Sequence, residues 1–145
     1  FDDGLGYAEA LERFASTKWN SPQYFIIAGA GPYEGAVVTV DPALPYQNVE
    51  VLNPYTRPIM YQLNSDAWTK PGEDRDKTML QFEFKLEKHR VEINVDTIWN
   101  LMMTPPVYND DNVYSFVAIP ATGYWKQTVH PEGTLAEARG LTAKA

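Results

Sequence analysis

The residue of this chain best suited to chemistry is Asn64, in the segment Gln62-Leu63-Asn64-Ser65-Asp66-Ala67-Trp68. A side-chain amide offers two N–H donors and a carbonyl acceptor. Two residues on, Asp66 supplies a carboxylate that either orients that amide or caps the local turn. A charged run follows, Asp74-Arg75-Asp76-Lys77, whose arginine either bridges loops through ion pairs or sits solvated among its neighbours. On residue types alone, an asparagine after an apolar segment is also an ordinary turn former.

Other chemistries fit less well. The chain has no cysteine, which removes disulfides, thiolate metal sites and a thiol nucleophile within it. His89 and His130 are far apart and fall into neither metal-ligand nor triad spacing, so both read as surface histidines. Gly29, Gly31 and Gly35 lack the lysine and following helix of a phosphate loop and read as a hairpin turn. No metal and no cofactor are expected.

The 145 residues suffice for one domain with a real core. Hydrophobic residues make up 44% and charged residues 21%, as in ordinary globular proteins. The net charge is −7 and no basic cluster exists, which argues against nucleic-acid binding, since phosphate contacts need a dense positive face. No apolar run is long enough for a transmembrane helix. The acidic start, Phe1-Asp2-Asp3-Gly4, is not a signal peptide.

The elements that must position Asn64 follow from periodicity. Tyr7, Leu11 and Phe14 recur at helical spacing and predict an amphipathic helix over 7–17, ended by Asn20-Ser21-Pro22. The apolar runs 23–30 and 36–40 predict a β-hairpin buried on both faces. Short strands are expected at 49–52 and 59–63, with Asn64 at the end of the second. A polar loop over 69–78 leads to a helix at 77–88. Asn94 is a good N-cap for a helix carrying Ile98, Leu101 and Met102, and Pro105-Pro106 stops it. Strands at 113–119 and 124–129 form a second hairpin across Ala121-Thr122-Gly123. Helices and strands are segregated, so the class is α+β. Residues 1–130 read as part of a single domain and 131–145 as a tail.

These stretches resemble a known family. Ser21-Pro22-Gln23-Tyr24-Phe25-Ile26-Ile27-Ala28-Gly29, Glu34-Gly35-Ala36-Val37-Val38-Thr39, Leu63-Asn64-Ser65-Asp66-Ala67-Trp68 and Pro106-Val107-Tyr108-Asn109 stand in the order and spacing of motifs in the acid ceramidase and N-acylethanolamine-hydrolysing acid amidase family. That family consists of N-terminal-nucleophile (Ntn) hydrolases related to bile-salt hydrolases and penicillin V acylases. The resemblance runs from Tyr7 to Ile119 and is to the C-terminal part of the catalytic subunit.

It implies an αββα four-layer sandwich of mainly antiparallel sheets, and a hydrolase of N-acyl amides such as N-acylethanolamines or ceramide-like lipids. A cysteine freed by autocatalytic cleavage attacks the amide carbonyl in such enzymes, with its own α-amino group as base. Asn64 stands where the family's oxyanion-stabilising asparagine stands, and Asp66, two residues on, either orients it or caps the turn. Arg75, or Lys77 across a one-residue gap, stands near the family's Arg-Arg pair. Tyr24 and Trp68 are candidates for an acyl-chain pocket or for the core.

The chain departs from the pattern beside Asn64, with Leu63 for a threonine and Ser65 for a tyrosine. Phe1 cannot be the nucleophile, so the resemblance implies one on an upstream segment or a separate chain. A non-catalytic homologue acting as a binding or structural subunit is the alternative. A lysosomal or secretory setting is suggested by the resemblance only.

Overall fold

The structure, a computed structural model, describes residues 4–44, 47–66, 74–89 and 91–130, except the side chains of Glu87 and His89. The order of elements is α1 (Tyr7–Ser16), β1 (Gln23–Ala28), β2 (Gly35–Val40), β3 (Asn48–Val51), α2 (Asp74–His89), α3 (Val95–Met102), β4 (Tyr114–Ile119), a short 3-10 turn (Pro120–Thr122) and β5 (Tyr124–Val129). Helices and antiparallel sheets make it α+β, as the segregated pattern predicts. The chain forms two compact units: Phe1–Lys70 with Ile119–Gly123, and Pro71–Ala118 with Tyr124–Ala145.

In the first unit, β1, β2 and β3 form a three-stranded antiparallel sheet in that order. The register pairs Tyr24 with Thr39 and Val38 with Val49. Central β2 is buried along its whole length, and Val38 is fully enclosed. The flanking β1 departs from the expected two-sided burial, since among the described residues it is an edge strand and Ile26 is 70% exposed. Helix α1 turns Tyr7, Ala10, Leu11, Phe14 and Ala15 inward at helical spacing. Phe14 and Trp19 pack with Phe25 of β1, ring centroids 4.7 and 4.3 Å away. The Trp19 indole N–H donates to the Phe14 carbonyl at 3.0 Å, tying the helix end to this cluster.

Glu34 organises the β1–β2 turn. Its carbonyl accepts from the Gly29 N–H at 2.8 Å and its carboxylate from the Gly31 N–H at 2.7 Å. A Cβ on Gly31 would sit 2.8 Å from the Glu34 Cδ, so the acid fills the space that the glycines leave open. This close approach explains the glycines without any phosphate.

The strand expected at 59–63 is not formed. After β3 the chain makes an isolated antiparallel bridge between Asn53 and Arg57. The Asn53 side chain accepts from the N–H groups of Tyr55 and Thr56 at 2.9 and 3.0 Å, a local turn that takes the chain off the sheet edge. Pro54 and Pro58 each lack a donor for a ladder. Residues 59–63 therefore run on as irregular backbone and Asn64 sits in a bend.

In the second unit, α2 starts at Asp74, three residues before the sequence-based boundary. Asp74 and Asp76 suit the positive end of the helix dipole, and Lys77 pairs with Asp74 at 2.7 Å. Arg75 thus lies on a helix, half-buried, and Asp76 is 6% exposed, so 74–76 is no solvated loop. Residues 67–73 and the expected tail 131–145 lie outside the described residues. Helix α3 is capped as expected: the Asn94 amide oxygen accepts from the Thr97 N–H at 2.9 Å, and the Thr97 hydroxyl accepts from the Asn94 N–H at 2.9 Å. β4 and β5 form a two-stranded sheet. Lys126 lies over the Trp99 ring, 4.0 Å from its centroid, which links β5 to α3.

Candidate functional site

The first unit gathers Asn64, Asp66 and Tyr24 around one cleft of about 310 Å³, with Gln23, Thr39 and Asp41 also on its wall. Each arrives by a different route. Tyr24 is carried on β1, locked in register against buried β2. Asn64 and Asp66 come from the irregular segment after the Asn53–Arg57 bridge. Forty-two residues of sequence separate Tyr24 from Asp66, yet the Tyr24 hydroxyl donates to the Asp66 Oδ1 at 2.8 Å.

Two effects act on the Tyr24 phenol. Burial disfavours the phenolate, and the Asp66 carboxylate both accepts its proton and repels the anion. Together they push its pKa up to about 12, so Tyr24 is a neutral donor at any physiological pH. Asp66 is thereby held by a partner that does not titrate there.

The bend around Asn64 is braced from within. The Gln62 amide N–H groups donate to the Leu63 and Ser65 carbonyls, both at 2.8 Å, on either side of Asn64. Asn64 itself is exposed. Among the described residues no hydrogen bond engages its amide. An uncommitted N–H donor at the rim of a cleft, on a braced bend, can donate to a substrate oxygen on which negative charge develops.

The remaining candidates lie elsewhere. Trp68 is outside the described residues. Arg75 stands on the first turn of α2 in the second unit. His130 is not the surface residue its isolation in sequence implies: its Nε2 lies 2.9 Å from the hydroxyl of buried Ser115, and its ring meets Tyr108 edge-on with centroids 4.8 Å apart. The backbone N–H of His130 donates to the Val113 carbonyl at 2.8 Å, continuing the β4–β5 pairing. The Tyr24–Asp66 pair had no signal in the sequence, because a contact over 42 residues follows no local period. Among the described residues no group of His, Asp and Glu could hold a metal ion, and no helix is long and apolar enough to cross a membrane.

No protein-family model matches the chain. It is 32% identical over 128 residues to an N-acylethanolamine-hydrolysing acid amidase of Caenorhabditis elegans, covering 84% of this chain and 35% of that protein. It is 27% identical over 114 residues to the acid ceramidase of Homo sapiens, covering 79% of this chain and 29% of that protein. The solved structure of a Caenorhabditis elegans N-acylethanolamine-hydrolysing acid amidase ortholog superposes with a TM-score of 0.75 at 29% identity, over 89% of this chain and 57% of that one. The chain thus spans about a third of the length of the curated relatives it matches. Its homologues are the N-acylethanolamine-hydrolysing acid amidases and acid ceramidases, and it shares the Ntn-hydrolase fold of the part of them that it matches.

Proposed function

We propose that this chain is part of a hydrolase of N-acyl amides and that Asn64 stabilises the oxyanion of its tetrahedral intermediate. The observation that carries the reading is the uncommitted Asn64 amide on a braced bend beside a cleft. The names of the relatives point to N-acylethanolamines and ceramides as the substrate class. Residues 1–130 then form the C-terminal portion of one hydrolase domain, with 131–145 as a tail.

The nucleophile belongs to another segment or chain of the same enzyme. Its sulfur adds to the amide carbonyl while its own α-amino group takes the thiol proton. Charge moves onto the carbonyl oxygen, and the Asn64 Nδ2–H donates to it. Collapse expels the amine, which takes the proton held on the α-amino group, and water then cleaves the thioester to the free acid, returning a proton to the sulfur. Arg75, or Lys77 across a one-residue gap, takes the place of the family's ion-pairing arginine in this reading, and Trp68 is carried over from the family resemblance as a substrate-binding residue.

A preorganised donor of this kind contributes about 100- to 1,000-fold to turnover. Asn64→Ala in the full enzyme, nucleophile included, should therefore lower kcat by that factor with the folding transition unchanged. Undiminished turnover would remove Asn64 from the mechanism.

The replacements beside Asn64, Leu63 for threonine and Ser65 for tyrosine, favour a second reading: a homologue that has kept the fold and lost catalysis. An enzyme assembled with its nucleophile segment that hydrolyses no N-acyl amide would establish it.

A further inference from the structure

An oxyanion donor works only if it is already aimed when charge develops, and a loose support of about 1 Å forfeits much of its effect. In most folds a strand or helix provides the aim. Here Asn64 has neither, because the chain left the sheet at Asn53–Arg57 and runs from 59 to 66 without a ladder. Its rigidity must come from side chains.

Two of them are visible. Gln62 clamps the carbonyls that flank Asn64, which fixes the bend internally. That clamp moves with the bend, however, and does not attach it to the core. Among the described residues Tyr24 provides an attachment: its backbone pairs with buried Thr39 in β2, and its hydroxyl reaches Asp66, two residues past Asn64. We infer that Tyr24 is a positioning residue, whose bond to Asp66 docks the Asn64 bend onto the central sheet and so aims the oxyanion donor. This rests on the reading of Asn64 given above. Tyr24 then acts through Asn64 and does not contact the substrate acyl chain.

The test is a double-mutant cycle on the full enzyme. Tyr24→Phe keeps the ring and deletes only the donor. Alone it should lower kcat on the order of 10- to 100-fold with KM unchanged. In an Asn64→Ala background it should have no further effect, because the donor it aims is gone. Asp66→Asn, which keeps an acceptor oxygen, should retain most of the turnover that Asp66→Ala loses.

Equal losses from Tyr24→Phe in both backgrounds, or a raised KM with kcat intact, would overturn the positioning role and leave the oxyanion reading standing. Full turnover in Asn64→Ala would overturn both. A readout independent of activity is amide hydrogen exchange. Exchange over residues 62–66 should accelerate in Tyr24→Phe while β1 and β2 stay protected. Unchanged exchange at 62–66 would equally overturn the inference, even in an inactive homologue.

Discussion

Tyr24 shows how one contact converts a core-type side chain into part of a candidate site. Its aromatic body and strand position suit packing, and its hydroxyl has a single consequential partner in Asp66. The folded pKa of about 12 lies above the ordinary tyrosine value near 10. The sign follows from linkage: the native state holds its proton where the unfolded chain has begun to lose it. The stability linked to this phenol is therefore fully present below about pH 10 and is lost as pH rises through 12. In ultraviolet absorbance titration, a late phenolate step near pH 12 should be present in the parent protein and missing from Tyr24→Phe. A tyrosine set that titrates identically in both would contradict the bond. At lower pH the Tyr24 donor is pH-insensitive, so any acid-side pH dependence must enter through other groups.

At the scale of elements, short-range signals translate directly into structure. Asn94 caps α3 because its amide oxygen meets the Thr97 N–H, which the first turn of any helix leaves without a partner. Asn94→Ala should cost about 1 kcal/mol, read as a lowered urea midpoint with an unchanged slope. The β1–β2 turn was legible for a similar reason, as its glycines and Glu34 lie within six residues. The run Ile59-Met60-Tyr61-Gln62-Leu63 suggests a strand because it is short and largely apolar between turn residues. What decided against it was the Asn53 turn and two prolines, which remove the chain from the ladder. The start of α2 was misread because its first residues are charged, although acids in a first turn favour a helix.

At the scale of the whole molecule, the core of the first unit is concentrated in one strand. Ala36, Val37, Val38 and Val40 are all at most 2% exposed. Val38→Ala removes two methyl groups from a fully enclosed site and should cost about 2–3 kcal/mol by thermal or urea unfolding. The same substitution should loosen β1 and with it Tyr24, so activity should fall before unfolding begins. Substitution of exposed Ile26 on the neighbouring strand should be near neutral in the same assay. That contrast tests whether the sheet, and not the whole of the apolar surface, carries the site.

By itself, the sequence determined the α+β class, the hairpins, the α3 cap and the candidacy of Asn64. These depend on residues within one or two turns of each other, or on motifs whose order along the chain survives comparison. Only the tertiary structure decided that Tyr24 meets Asp66, that Asn64 lies off the sheet, and that Ser115 and His130 share a hydrogen bond. Such pairs are created when separate elements are packed together, and no local spacing encodes which side chains packing will bring within 3 Å.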